Sequence, residues 1–306
     1  MVDCGEASAF PMKTVLVFGE TLWDLLPTGP VLGGAPCNFA YRLNSLGDRA
    51  LLVTRLGRDD LGKKAFERLQ ELGLDTSFVQ WDDAHPTGTV PVTVDEKGVP
   101  DFTIMPDVAY DYIEMTDELR RLVYRVDAIY CGTLVQRSEP SRRALNDLLR
   151  ATRGANAPVF LDLNLRKNCY TTSTIDESLK RAALVKLNET EAAEISSART
   201  AESQARELHA RTKGPVVVTM GDRGVVAVDG LSKDSVTLPG WKVPVVDTIG
   251  SGDAFSAAFL HCWLKGRPLE ECCFFGNALG AMVARTSGAT AAISVDELNR
   301  FCGRTL

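Results

Sequence analysis

Residues 243–255 read VPVVDTIGSGDAF, and this stretch decides how the rest of the chain is interpreted. An apolar piece, Val243–Val246, predicts a strand that runs into a turn of small residues and then a helix. Gly250, Ser251 and Gly252 leave backbone N–H groups unobstructed where that helix begins. With the partial positive charge of the helix N-terminus, about half a unit, these amides predict a site for a phosphate or a developing oxyanion.

Asp253 follows in the first turn of the same predicted helix. A carboxylate there can take a proton from an attacking hydroxyl while the neighbouring amides hold a transferring phosphoryl group. The alternative is that Asp253 merely caps a helix after a glycine turn. The motif alone leaves both interpretations open.

A second glycine motif, Gly33-Gly34-Ala35-Pro36-Cys37-Asn38, precedes another predicted helix. Asn38 offers both a donor and an acceptor, which suits a sugar hydroxyl, and the glycines permit close approach of a ligand. A tight turn with Pro36 in the first helical turn is the alternative. Upstream, Asp24 follows the predicted strand Thr14–Phe18, where ligands of open α/β sheets bind, although a solvated surface carboxylate is the commoner explanation.

Polar or glycine-rich clusters follow three more predicted strands, each of which could also be an ordinary strand-to-helix turn. One cluster carries a possible phosphate-binding arginine, one could reach magnesium through water, and one could let a nucleotide lie on the backbone. In chain order these residues are Arg166, then Asn188 and Glu191, then Thr219, Gly221 and Gly224. Their recurrence at strand after strand indicates a single active edge of a sheet.

The apolar runs alternate with helical patterns over most of the chain, which predicts an α/β domain with a mostly parallel central sheet covered by helices on both faces. We expect residues 1–12 to be a disordered leader and residues 13–306 to form the domain. The pattern differs at Thr87–Val94 and Asp101–Met105, which alternate apolar and polar residues around a predicted turn. This antiparallel hairpin predicts a small β-strand lid, near residues 21–32 and 87–108.

Composition excludes several classes of protein. The net charge of −6 argues against a nucleic-acid binder, and no apolar run is long enough to span a membrane. The N-terminus has no secretory signal pattern, so we expect a cytoplasmic protein. The eight cysteines include no CxxC pair, which disfavours a zinc or redox site.

Two further patterns are rejected as nucleotide motifs. Gly57–Lys64 nearly matches the P-loop, but Lys64 stands where a magnesium-binding hydroxyl is needed, and Asp59 and Asp60 would repel phosphate. No GxGxxG follows the first strand, which disfavours a dinucleotide-dependent oxidoreductase.

Taken in order, GGAPCN, DLNLR, NETE, TMGDRG and DTIGSGDAF resemble the motifs of the ribokinase/PfkB family of carbohydrate kinases, from about Thr14 to the C-terminus. The resemblance implies a ribokinase-like fold, ATP as phosphoryl donor, magnesium, and a lid that often serves in dimerisation. It implies that Asp253 is the base and that Gly250–Gly252 line the anion hole. It also implies that Asp24, Gly34 and Asn38 bind the sugar.

The resemblance implies nucleotide contacts as well, at Thr219, Gly221, Gly224 and Asn277, with Asn188 and Glu191 near phosphate and magnesium. Many members of the family bind potassium, which here would involve Asp247, Ile249 and the segment around Gly288. A hydroxyl side chain expected near Ala292 is absent, so the potassium site departs from the pattern.

Within the family, GETLWDLLP, DLNLR and VAYDYI look most like bacterial fructokinases. The stretch Asp101–Ile113 contains no Arg or Lys to face a substrate carboxylate, which favours a neutral sugar. Ribose, the sugar acid 2-keto-3-deoxygluconate (for which Arg166 could serve), and a non-catalytic sugar-binding protein on the same fold remain alternatives.

Overall fold

A computed structural model describes the chain in five ranges: residues 11–94, 100–155, 157–212, 214–230 and 235–306. Most of the expected leader and the expected turn of the lid hairpin lie outside the described residues. The helices and strands follow in chain order: β1 Thr14–Phe18, β2 Leu22–Leu26, β3 Gly29–Gly33, α1 Ala35–Ser45, β4 Arg49–Gly57, α2 Asp60–Glu71, β5 Val79–Asp82, β6 Gly88–Val94, β7 Pro100–Phe102, α3 Asp117–Leu122, β8 Ala128–Cys131, α4 Glu139–Ala151, β9 Val159–Asp162, α5 Thr172–Arg181, β10 Leu184–Asn188, α6 Glu189–Ile195, α7 Ala201–His209, β11 Val216–Thr219, β12 Val225–Val228, β13 Val236–Leu238, α8 Ser251–Leu264, α9 Leu269–Ala284 and α10 Val295–Cys302.

The main sheet of the described chain has the order β13-β12-β11-β10-β9-β8-β1-β4-β5. Its strands from β11 to β5 pair in parallel, and β12 and β13 add an antiparallel edge. Because successive side chains of a strand point to opposite faces, β1 sends Val15 and Val17 into one apolar core and Leu16 and Phe18 into another. The expected α/β architecture is confirmed.

Helices cover both faces of this sheet. The helices α1, α8 and α9 pack on the face that includes Val15 and Val17, and α4, α5 and α7 pack on the other. The rejected P-loop stretch is a loop and helix start, in which Asp59 caps α2 by accepting from the amide of Gly62 at 2.7 Å. Its carboxylate therefore stabilises a helix N-terminus.

The lid is a second sheet with the order β3-β2-β6-β7. The strands β6 and β7 pair antiparallel, as the alternation predicts, and β2 joins β6 in parallel. The predicted strand at Val243–Val246 is wrong. Pro244 has no N–H for a ladder, and Val245 and Val246 are 62% and 65% exposed, so this segment crosses the surface as an extended loop.

Candidate active site

A cavity of about 1230 Å³ runs along the carboxyl ends of the main-sheet strands and under the lid. This volume exceeds the roughly 300–1,000 Å³ that is common for the pocket of a single small ligand. Most of the residues that the sequence singles out line it: Asp24, Gly34, Asn38, Arg166, Asn188, Glu191, Thr219, Gly221, Ile249, Gly250, Gly252 and Asp253. The expectation of one active edge thus agrees with the geometry.

The glycine turn before α8, which is the expected anion hole, requires glycine at Gly250. Gly250 is left-handed, with φ +78°, and a Cβ there would lie 2.4 Å from the Cβ of Ala289, so only glycine fits. Ser251 does not line the cavity, and its amide donates to the Thr248 carbonyl at 3.2 Å. Gly252 and Asp253 do line the cavity, and amides in the first turn of a helix have no partner within the helix.

Asp253 lines the cavity, and a side chain of α1 holds its carboxylate in place. The Nδ2 of Asn38 donates to its Oδ2 at 2.8 Å. Burial, and next the nearby Asp162 carboxylate, raise the pKa of Asp253 to about 6, although Asn38, Lys186 and Arg166 act in the opposite direction. A carboxylate with a pKa close to neutral can both accept a proton and release it again.

Asn38 therefore has a second role besides the expected contact with sugar. It is 5% exposed, and its Oδ1 has no partner within the described residues, whereas its Nδ2 is committed to Asp253. An unpartnered buried oxygen beside a cavity is available to accept a ligand hydroxyl. Asn38 can thus orient the base and hold a substrate at the same time.

The cavity brings Asp24, one of the expected sugar-binding residues, near Arg166. Burial raises the pKa of Asp24, and the positive charge of Arg166 opposes that shift.

Gly33 does not line the cavity. A Cβ at Gly33 would lie 2.6 Å from Oδ2 of Asp24, so this glycine makes room for the carboxylate instead of touching a ligand.

Sequence reasoning missed Glu20, although the GETLWD motif contains it. Its side chain is 3% exposed and lines the cavity, and its Oε2 has no partner among the described residues. Burial raises the pKa of Glu20 to about 7, with the charge of Asp253 adding to the shift and Arg166 opposing it. The sequence signal that could have identified Glu20 is its position directly after β1 and Gly19, at the edge of the sheet where ligands bind.

A buried lysine was also missed. The Nζ of Lys186 lies 3.1 Å from Oδ1 of Asp162, and Asp162 also accepts from the Ser256 hydroxyl at 2.7 Å. A Cβ at Gly252 would lie only 3.1 Å from the lysine Nζ, so the ammonium is directly beside the anion hole. Burial works to lower the pKa of Lys186, but the carboxylates around it prevail and raise it. The signal in the sequence that could have identified this residue is the position of Lys186 within the apolar run LVKL.

Asn188 and Glu191, which are expected near phosphate and magnesium, form a reciprocal cap at the start of α6. Glu191 accepts from the Asn188 amide at 2.8 Å, and Asn188 accepts from the Glu191 amide at 2.9 Å. The other Glu191 oxygen accepts from the Leu165 amide at 2.9 Å. These oxygens are hard ligands of the kind that magnesium prefers, and their engagement with amides favours contact through water. Within the described residues, no group of three or more His, Cys, Asp or Glu could hold a metal directly.

Two expected nucleotide residues lie outside the cavity wall. Gly224, with φ +102°, allows the turn after β11 to pack on the backbone of Leu238, where a Cβ would collide at 2.0 Å. Asn277 donates from Nδ2 to the Pro239 carbonyl at 3.3 Å. Both therefore support the segment 238–240 in this structure.

The three residues expected around a monovalent cation do lie together. Asp247 accepts from the Ile249 amide at 2.9 Å and, through its other oxygen, from the Gly288 amide at 3.1 Å. Both carboxylate oxygens are thus engaged with backbone donors.

Comparisons with known proteins agree with this geometry. The family model described as pfkB family carbohydrate kinase matches residues 28–296. The chain is 30% identical to a fructokinase of Salmonella typhimurium over 304 residues, covering 94% of this chain and 98% of the relative. It is 26% identical to a fructokinase of Vibrio alginolyticus over 310 residues, covering 96% and 100%.

Solved structures show the same fold. The sugar kinase PH1459 of Pyrococcus horikoshii in complex with ATP is 26% identical and superposes with a TM-score of 0.83, over 95% of this chain and all of that one. A fructokinase of Vibrio cholerae with fructose, ADP and calcium is 23% identical, with a TM-score of 0.83 over 95% and 99%. No helix among the described residues is long and apolar enough to cross a membrane.

Proposed function

Because this chain belongs to the pfkB family of carbohydrate kinases, we propose that it transfers the γ-phosphate of ATP to a hydroxyl of D-fructose, with Asp253 as the base. The observation that carries the proposal is the placement of Asp253. Its carboxylate lies at the base of the cavity in the first turn of α8, and Asn38 holds it at 2.8 Å.

In the proposed mechanism, Asp253 accepts a proton and the anion hole stabilises the phosphoryl group. With its pKa at about 6, Asp253 is mostly ionised at neutral pH and can accept the proton of the attacking hydroxyl. The amides at Gly252 and Asp253 then stabilise the negative charge of the phosphoryl group in transit. Lys186, held by Asp162 beside Gly252, adds a fixed positive charge where that charge develops.

We place ATP along the strand ends that carry Thr219 and Gly221, with its phosphates directed at α8. Magnesium, when bound to the nucleotide, neutralises phosphate charge. Glu191 and Asn188 would hold it through water, since their oxygens line the same part of the cavity.

Fructose is the proposed acceptor, bound at the opposite end of the cavity. There the lid contributes Asp24, Val90 and Ile104 to the wall, and α1 contributes Asn38. The Asp24 carboxylate can accept hydrogen bonds from two hydroxyls, which suits a polyol. The apolar lid residues Val90 and Ile104 exclude water from the acceptor site. The two fructokinases that cover nearly all of this chain support the same choice.

An anionic sugar is the second candidate, because the same wall carries basic side chains. Arg166, Lys167 and Arg137 all line the cavity. Arg137 is paired with Asp111 at 2.7 Å, whereas Arg166 and Lys167 form no ion pair among the described residues. These two could pair with a carboxylate or phosphate on the substrate. A 27% identical relative from Thermoanaerobacterium thermosaccharolyticum is an ATP-dependent 6-phosphofructokinase.

An ADP-release assay over a panel of sugars tests the proposal. The panel contains fructose, ribose, 2-keto-3-deoxygluconate and fructose 6-phosphate, each with MgATP. We expect the highest kcat/KM with fructose. A preference for either anionic compound would favour the second candidate, and no ADP release with any sugar would favour a binding protein without catalysis.

A further inference from the structure

Arg42 is a buried cation for which the proposed chemistry provides no role. It lies on α1, one turn after Asn38, and is 1% exposed. None of the ion pairs in the described part of the chain includes it. Since buried charges in proteins are nearly always paired with an opposite charge or a metal, an exception needs an explanation.

The Arg42 guanidinium binds backbone carbonyls instead. Its Nη1 donates to the Ala291 carbonyl at 2.7 Å and its Nη2 to the Ala289 carbonyl at 2.6 Å. Both carbonyls belong to the loop between α9 and α10. A planar guanidinium with five N–H donors can hold two such oxygens in a fixed geometry.

That loop lies against the anion hole. The Cβ of Ala289 is 2.4 Å from the position that a Cβ on Gly250 would take. One residue earlier, the Gly288 amide donates to Asp247, which stands at the start of the DTIGSGD turn. The loop is therefore tied to the turn at Gly288 and to α1 at Ala289 and Ala291.

We propose that Arg42 is a positioning residue of the anion hole, which holds the Ala289–Ala291 backbone against Gly250 and makes a monovalent cation unnecessary there. This inference rests on the proposed function, because it assumes that the Gly250–Asp253 turn holds the phosphoryl group. A protein holds a monovalent cation in a loop mainly through carbonyl oxygens, and here the guanidinium is already bound to two carbonyls of the loop that contacts Gly250.

Electrostatics argue against a second cation at the same carbonyls. An ion bound to either oxygen would lie within about 6 Å of the guanidinium, where two positive charges repel each other strongly in a protein interior. The neighbouring side chains offer few further ligands, because Ala292 has no hydroxyl and each Asp247 oxygen already accepts one backbone amide.

The first test uses the unmodified chain. Its kcat with MgATP and the preferred sugar is measured in potassium and in tetramethylammonium at equal ionic strength. We expect a difference of less than about threefold, and any larger stimulation by potassium overturns the proposal.

The second test uses Arg42→Met, which keeps an unbranched side chain of similar length without the charge. We expect kcat to fall by roughly tenfold or more and to recover in part with millimolar guanidinium. Arg211→Met is the control, because Arg211 also donates to a backbone carbonyl, that of Ile195, and neither residue lines the cavity; unlike Arg42, Arg211 is also ion-paired, with Asp176. Unchanged kcat in Arg42→Met overturns the proposal. If that variant does not fold, Arg42→Lys is measured under the same criterion.

Amide hydrogen exchange separates this inference from the choice of sugar, since it needs no substrate. Residues 247–252 and 286–292 should exchange faster in Arg42→Met than in the unmodified chain, and potassium should not change their exchange in the latter. Equal exchange in the two proteins contradicts the positioning role, whatever sugar the enzyme uses.

Discussion

We expect Asp253→Asn to lower kcat by roughly 10²–10⁴-fold with little change in sugar affinity, because general-base catalysis contributes about that factor. The amide keeps the shape of the side chain but cannot accept the proton. Steady-state kinetics with the preferred sugar measure the effect. Asp296→Asn is the control, since Asp296 is an exposed carboxylate in the first turn of α10. A variant that keeps more than about a tenth of kcat contradicts the role of Asp253.

The pH dependence of the unmodified enzyme tests the same assignment. Because the pKa of Asp253 is raised to about 6, its carboxylate is protonated as the pH falls through 6 and can no longer act as a base. We expect kcat/KM to fall tenfold per pH unit below that value. A rate that stays constant down to pH 4.5 would contradict it.

The dependence of the free energy of unfolding on pH that Glu20 causes has the opposite sign from that of most surface carboxylates. Its pKa is raised from 4.5 to about 7 on folding, so the folded chain binds a proton that the unfolded chain releases. The free energy of unfolding should therefore decrease as the pH rises from 4.5 to 7. Above pH 7 the full cost of ionising the buried Glu20 is present. Glu20→Gln should remove that cost and raise the free energy of unfolding at pH 8 by up to about 3 kcal/mol.

Urea unfolding at pH 5 and pH 8 measures this change. Glu297→Gln is the control with the opposite sign, because hydrogen bonds from Ser294 lower the pKa of Glu297, so its stabilisation is lost as the pH falls. If Glu20→Gln is less stable than the parent at pH 8, Glu20 is ionised and paired in the folded protein.

At the scale of single residues, the motifs identified many of the residues that line the cavity but not two buried charged ones. Asp24, Asn38 and Asp253 line the cavity as expected. Glu20 and Lys186 were missed because their significance depends on burial and neighbours from distant strands, which residue spacing does not reveal.

At the scale of elements, the lid offers a test of substrate choice. Thr103 lines the cavity just after β7. Thr103→Arg should shift the kcat/KM ratio toward 2-keto-3-deoxygluconate over fructose by roughly tenfold, because it places a charge partner opposite the carboxylate of the acid. The same panel of sugars measures the ratio. Thr28→Arg, in the exposed turn between β2 and β3, should leave it unchanged. A ratio that does not move would mean that residue 103 does not face the acceptor.

Apolar patterns predicted the first strand, Thr14–Phe18, with the bounds that the structure shows, and the predicted strand that is wrong explains the limit of that signal. Val243–Val246 has the composition of a buried strand, yet no strand in the described part of the chain pairs with it. A short apolar run predicts burial only when tertiary structure supplies a partner, and here Val246 bonds through its amide to the end of α9 at Ala284. The lid hairpin was easier to predict, because alternation of apolar and polar residues carries its own periodicity.

At the scale of the whole molecule, we propose that two copies associate through the lid. Val31 and Met105 are large apolar side chains on the lid segments and are 43% and 39% exposed. Val31→Glu should therefore convert a dimer into a monomer in sedimentation velocity at micromolar concentration, because a buried charge would oppose association. Tyr124→Glu, at an equally apolar site that is 63% exposed and away from the lid, should have no effect. A monomeric parent protein would contradict the proposal.

The hydrogen bond between Asn38 and Asp253 joins residues 215 positions apart. During synthesis on the ribosome, Asn38 and the lid strands emerge long before α8 and α9, which cover one face of the main sheet together with α1. We therefore expect the nascent chain to expose the apolar surface that α8 and α9 cover until those helices emerge. Chaperone binding should accordingly concentrate in that interval, and phosphoryl transfer should begin only when the last helices dock.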